Sequence, residues 1–341
     1  RSIAWLQRAT EAAPALTPTP LTANGGAIAL TQPGVIPSVT PPAGLRWVSY
    51  RVPANVPLRV GAHTYRDAAL ETNSRLTNLS TRGQAGASAD SMIVGFVIDG
   101  NKSVLIRAAG PALAALGVRN VLADPRLTLS APASDLERSN DNWGQDGSSA
   151  ALFQRVGAFP FPPHSLDAAL SLPLGPQSYT AVISGADDTG GVTLVEAYDA
   201  DVVPGAPSGP RFVNLSARGE VGTGDNSLIA GFALAGSEPR RVLIRAIGPG
   251  LAQFGLARGV TDPVLTLYRG ATPVAENDDW EISRSAAAIA VTARRLGAFP
   301  LARAARDAAL LLTLAPGSYT VKVSSADGGP GIALIEIYDA N

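Results

Sequence analysis

At 341 residues the chain has room for about two to three domains, and its 28 acidic against 27 basic side chains leave a net charge of −1 that offers nucleic acid or an anionic membrane no electrostatic hold. It contains no cysteine, which excludes disulfide staples, thiolate metal sites and a cysteine nucleophile. Charged residues make up 16 %, below the roughly 25 % of an average soluble chain, so Ser, Thr, Asn and Gly must carry much of the surface.

Residues 1–73 form a segment of their own. Ser2 to Ala13 reads as a short helix stopped by Pro14, and the Thr-Pro stretch at 17–20 is unsuited to helix. Three β-like runs follow: Ala27–Thr31, Leu45–Val52 and Leu58–Tyr65. The second places Leu45, Trp47, Ser49 and Arg51 on one side and Arg46, Val48, Tyr50 and Val52 on the other, the period of a strand. No apolar run in the chain reaches the roughly 18 residues that a membrane-spanning helix needs. The chain opens at Arg1 rather than methionine, which reads as a processed or excised product, and no signal peptide is visible; export is the expectation drawn from the repeat architecture and the low charge.

From residue 74 the sequence repeats itself. Asn78-Leu79-Ser80 returns as Asn214-Leu215-Ser216, Leu105-Ile106-Arg107-Ala108 as Leu243-Ile244-Arg245-Ala246, and Gly110-Pro111 as Gly248-Pro249. Gly157-Ala158-Phe159-Pro160 and Glu196-Ala197-Tyr198-Asp199 return as Gly297-Ala298-Phe299-Pro300 and Glu336-Ile337-Tyr338-Asp339. A repeat of this size has enough sequence for a core of its own, unlike a short solenoid unit. The expected organisation is therefore a segment at 1–73, a first copy at 74–201, a Pro/Gly linker at 202–209 and a second copy at 210–341.

Within each copy the pattern is strand after strand, punctuated by Gly, Pro and Asp. In the second copy the expected strands are 211–217, 227–234, 241–246, 264–268, 308–314, 318–324 and 331–338. Two short helices interrupt them. One starts at Pro111 or Pro249, where proline suits the first turn; the other runs over 148–156 or 285–296, with Gly157 or Gly297 as the left-handed residue that ends it. The fold class predicted is all-β: two tandem antiparallel β-sandwiches, jelly-roll-like, with short helices and an extended N-terminal segment.

The run Asp262 to Tyr268, the acidic turn Glu276 to Asp279 and the Leu314-Ala-Pro-Gly-Ser-Tyr stretch resemble the bacterial pre-peptidase C-terminal type of β-sandwich. The longer pattern, from Asn-Leu-Ser-x-Arg-Gly to Glu-x-Tyr-Asp, is similar to repeat domains near the ends of large bacterial secreted and surface proteins. The resemblance covers residues 74–341 and implies an accessory or structural module at the cell surface.

Four groups of residues invite a chemical reading. Asn140, Asp141 and Asn142, with Asn277, Asp278 and Asp279 in the second copy, place several oxygen donors on one loop, as a calcium site would; the same residues also form turns by bonding their own backbone, with Trp143 and Trp280 packed beneath. Arg107 with Glu196, and Arg245 with Glu336, are charges in apolar strands and have reason to pair. Asn78 and Asn214 head glycosylation sequons that share one strand position, which favours a role in the fold. His164, Ser165 and Asp167 would be the members of a hydrolytic trio, yet they lie too close in sequence for triad geometry, and the second copy has Ala304 and Ala305 in place of the first two.

The function expected is therefore non-enzymatic: a structural subunit or stalk of a bacterial extracellular assembly that self-associates, with residues 1–73 adding a strand to a neighbour. The alternative is a carbohydrate- or surface-binding accessory module cut from a larger secreted enzyme, for which Trp47 and Tyr50 would be the contact residues.

Overall fold

The computed structural model describes residues 74–341, apart from 87–90, 145–147, 187, 202–208 and 223–226, together with the backbone of 58–60 and 63–65. The expected runs at 27–31 and 45–52, the linker, and Trp47 and Tyr50 lie outside the described residues. The run at 58–65 is a two-stranded hairpin, β1 (Leu58–Val60) with β2 (His63–Tyr65), in which Val60 pairs with His63.

The first copy supplies β3 (Arg75–Ala85), β4 (Met92–Ile98), β5 (Lys102–Ala109), β6 (Pro125–Ala131), β7 (Leu136–Asn140), β8 (Ala168–Leu174), β9 (Ser178–Gly185) and β10 (Gly191–Asp199). The second supplies β11 (Phe212–Val221), β12 (Leu228–Ala235), β13 (Arg240–Ile247), β14 (Pro263–Arg269), β15 (Thr272–Asn277), β16 (Ala308–Leu314), β17 (Gly317–Ser325) and β18 (Gly331–Asp339), in the same order. The all-β class holds, with every ladder antiparallel. Among the described residues no helix is long and apolar enough to cross a membrane.

Residues 73–341 form one compact unit, and each layer of the sandwich is built from both copies. One layer runs β8-β5-β10-β3 from the first copy and continues β12-β17-β14-β15 from the second; the other runs β16-β13-β18-β11 and continues β4-β9-β6-β7. The joins are β3 with β12 over Arg75 to Arg82, and β11 with β4 over Phe212 to Arg218. The single pair Leu76–Phe212 ties the layers to each other. Two bodies with separate cores are thus replaced by one. A first strand that pairs with the opposite copy leaves no edge at which the copies could part.

The repeated Asn-Leu-Ser motif sits at these joins. Ser80 lies opposite Gly231 and Ser216 opposite Gly95. A Cβ on Gly95 would stand 2.5 Å from the Ser216 hydroxyl, and one on Gly231 would stand 2.6 Å from that of Ser80. Glycine is needed there because the opposing hydroxyl fills the space. The sequon asparagines are accordingly held in paired strands, Asn78 between Tyr198 and Ala233.

Alternation along the strands buries one large core. Met92, Val94, Phe96 and Ile98 of β4 and Leu228, Ala230, Phe232 and Leu234 of β12 point inward at every second residue and belong to the same hydrophobic cluster. Phe96 stacks on Tyr179 of its own copy at 5.2 Å and meets Phe212 of the other edge-on at 5.6 Å. Two smaller clusters lie under the helices, around Phe153 in the first copy and Trp280 in the second.

A shared core predicts shared cooperativity. Phe96→Ala is expected to cost about 3–5 kcal/mol and to lower one melting transition of the whole 73–341 unit. Calorimetry that separated the two copies into independent transitions would contradict the shared sheets.

Candidate functional site

The helices of both copies cover the outer face of the sheet over the same buried arginine. In the first copy Arg107 and Glu196 are paired residues of β5 and β10, and Arg107 is fully buried. Its Nε and Nη2 donate to Glu196 Oε2 at 2.9 and 2.5 Å, and Nη1 donates to the Phe159 carbonyl at 2.6 Å. Three phenyl rings enclose the guanidinium, with centroids 4.5 Å (Phe153), 4.5 Å (Phe159) and 4.1 Å (Phe161) from Cζ. Tyr198 donates to the other carboxylate oxygen of Glu196 at 2.5 Å. Burial, with the Glu196 charge beside it, pushes the Tyr198 hydroxyl far above its ordinary pKa and keeps it a donor.

The second copy repeats the frame with fewer bonds. Arg245 Nε lies 2.9 Å from Glu336 Oε2, Nη1 donates to the Phe299 carbonyl at 2.7 Å, and Tyr338 donates to Glu336 Oε1 at 2.8 Å. Arg245 Nη2 has no hydrogen-bond partner, although Arg245 is fully buried. Burial raises the pKa of Glu336 above the usual carboxylate range, against the pull of Arg245.

The calcium candidates are placed as turn residues. Asn140 accepts the Ala169 N–H at 2.9 Å and donates to the Asn142 carbonyl at 3.0 Å; Asn277 does the same with Ala309 at 2.8 Å and Asp279 at 2.9 Å. Neither amide oxygen can turn to a cation without stripping a strand N–H of its acceptor. Asn142 donates to Asp141 at 3.1 Å, and Asp141 lies 3.7 Å from the half-exposed Arg126. Among the described residues no three His, Cys, Asp or Glu side chains converge as metal ligands, and Asp278 and Asp279 join no such group. Trp143 and Trp280 close the loop by donating to the Pro162 and Ala302 carbonyls at 3.1 and 3.2 Å.

The trio at 164–167 serves a different purpose. Asp167 Oδ1 accepts the N–H groups of Gly110 and Ala112 at 2.7 and 3.1 Å, and Ser165 donates to Oδ2 at 2.6 Å, while the exposed His164 occupies a left-handed turn. The carboxylate thus holds the turn around Pro111, where a Cβ on Gly110 would lie 2.1 Å from the Leu122 carbonyl. Its counterpart Asp307 accepts Gly248 and Gly250 N–H at 2.9 and 3.0 Å, but Ala305 stands where Ser165 does, and Asp307 Oδ2 has no partner. Burial raises the pKa of Asp307.

Sequence reasoning passed over a second pair of buried charges. Lys102 Nζ lies 2.5 Å from Asp199, and Arg240 makes a two-pronged contact with Asp339 at 2.8 and 2.5 Å. The signal was present, since the Tyr-Asp motif closes both copies and Lys102 aligns with Arg240.

No family model matches the chain, and no curated protein matches it. Among solved structures it is similar to a DUF4785 family protein from Legionella pneumophila, at 9 % identity and a TM-score of 0.23 over 80 % of this chain and 84 % of that one.

Two outcomes follow from this geometry. Asn277→Ala is expected to destabilise by about 1–3 kcal/mol, while a calcium chelator leaves the melting temperature of the unsubstituted protein unchanged; a chelator-dependent melt would restore the metal reading. Ala305→Ser should give Asp307 Oδ2 a donor and stabilise by about 1 kcal/mol. An unfolded Asp loses its proton at lower pH than the folded Asp307, so this group costs stability as pH rises from the ordinary carboxylate value through the raised one. Denaturant melts between about pH 4 and pH 8 should show that fall diminished in the variant.

Proposed function

We propose that this chain is a non-enzymatic structural subunit of a bacterial extracellular assembly, and that a strand from residues 1–73 of one copy pairs with the β16 edge of the next. The observation that carries this reading is the chemistry of the four outer strands. β15 carries Pro273, and β7 carries Glu137 and Arg138 on its exposed stretch, features that blunt an edge. β8 carries Pro173. β16, with the sequence Ala-Ala-Leu-Leu-Leu-Thr-Leu, carries neither proline nor charge, and among the described residues it pairs only with β13.

The backbone geometry says which groups such an edge offers. The Ala309 N–H goes to the Asn277 side chain and not to β13, so Ala309 faces outward. Alternation then turns Leu311 and Thr313 outward as well. The position of Thr313 is that of Pro173 in β8, where the N–H is missing. One copy thus has a blocked edge where the other has a pairing edge. The Leu45–Val52 run, alternating and half apolar, is the kind of segment that adds to it, and the likeness to repeat domains of secreted bacterial proteins supports an extracellular setting.

Thr313→Pro transfers the first copy's block to the second. It should melt within about 1 kcal/mol of the unsubstituted chain and abolish assembly seen by electron microscopy and light scattering, as should deletion of residues 1–52, which removes the Leu45–Val52 run. Intact polymers in both variants would refute strand addition.

A further inference from the structure

The closing aspartates of the two copies sit in matching buried clusters that differ in one chemical respect. Asp339 is held by Arg240 and Arg211, at 2.5 and 3.4 Å. Asp199 is held by Arg75, whose Nε is 3.5 Å from Oδ2, and by Lys102, whose Nζ is 2.5 Å from Oδ1. The side chains of Lys102 and Asp199 are 3 % and 0 % exposed, so the pair meets no bulk water. Of the 27 basic residues in the chain, Lys102 and Lys322 are the two lysines. Arginine is the usual choice for a buried ion pair, and the second copy uses it; lysine is the cation that can give up a proton and act as a nucleophile.

We infer that Lys102 and Asp199 condense into an intramolecular amide, a covalent cross-link between β5 and β10. The step begins with the proton on Nζ passing to Oδ1, its one hydrogen-bond partner among the described residues, in a site where water cannot stabilise the separated charges. The lone pair so freed on Nζ attacks Cγ, and the N–C bond forms. Negative charge develops on Oδ2, which has no hydrogen-bond partner and faces the equally unpartnered Nε of Arg75, a cation placed to stabilise it. As the tetrahedral adduct collapses, the Cγ–Oδ1 bond breaks. Oδ1 leaves as water, carrying the proton it took first and a second one from the nitrogen, and Oδ2 remains as the amide oxygen. The step balances with water as its one by-product. Groups fixed in contact react as if present at up to about 10⁵–10⁸ M, and the Asp201 N–H, which donates to Oδ1 at 3.0 Å, helps to fix the carboxylate. The guanidinium of Arg240 does not give up its proton, so the second copy keeps an ion pair at the same place. In a chain without cysteine, the first copy thus gains a covalent staple of another kind.

The test is the mass of the folded full chain, measured intact and after digestion with trypsin. The chain should weigh one water less than its sequence, and residues 83–107 and 156–211 should emerge joined in one branched peptide, uncut after Lys102. Lys102→Arg gives the first copy the second copy's ion pair; it should fold, carry its full sequence mass and yield the two regions apart. Lys322→Arg should stay one water light. The branched peptide separates the cross-link from a cyclic imide at an aspartate, which also loses one water but leaves the two regions unjoined. A folded chain at its full sequence mass, a water-deficient chain whose digest yields the two regions apart, or a Lys102→Arg variant that is still one water light would each overturn the cross-link.

Discussion

Backbone pairing between the copies, β3 with β12 and β11 with β4, is the constraint from which the rest of the fold follows. Each join makes one eight-stranded layer out of two four-stranded ones, so the two layers face each other across a core that neither copy owns. The serine-over-glycine contacts, Ser80 on Gly231 and Ser216 on Gly95, set the register of these joins. A slip of one residue would turn every inward side chain of the joined strands to the wrong face.

With the sheets so locked, the outer faces of β5 and β13 carry the charged interior. A buried arginine beside a glutamate is expensive to desolvate and gains only if its remaining donors are met. Arg107 meets that condition with Glu196, the Phe159 carbonyl and three rings. Arg245 keeps the carboxylate and the carbonyl but has lost two rings and a bond. The same relaxation appears at Asp307, which lacks the hydroxyl that Ser165 gives Asp167. The second copy is the less completely satisfied of the two.

Much of this was readable from the residues. Apolar runs punctuated by Gly, Pro and Asp locate seven of the second copy's strands, because the interior of the sandwich takes such runs and its turns take the breakers, and Gly157 and Gly297 end their helices in the left-handed conformation at φ 74°. The strands at Leu136–Asn140 and Thr272–Asn277 escape that reading, since both lie at the rim and present mostly exposed side chains. The exchange of edges between copies escapes it too. Alternation says which way a side chain points, while the identity of a strand's neighbour depends on contacts such as a serine over a glycine that only three dimensions bring together. The aspartate under the Gly-Pro turn was visible as the repeated Asp-Ala-Ala-Leu, but its partners are backbone N–H groups nearly sixty positions away.

The position of β3 has a mechanical meaning. It is the first strand of the sandwich, and it lies in the middle of its layer, bonded to β10 over residues 78–85 and to β12 over 75–82. A pull along the chain at Ser74 therefore loads two ladders at once, in shear and over most of their length, instead of opening one bond after another from a free edge. Tension arriving from the N-terminal side is spread across strands of both copies before any single hydrogen bond has to carry it.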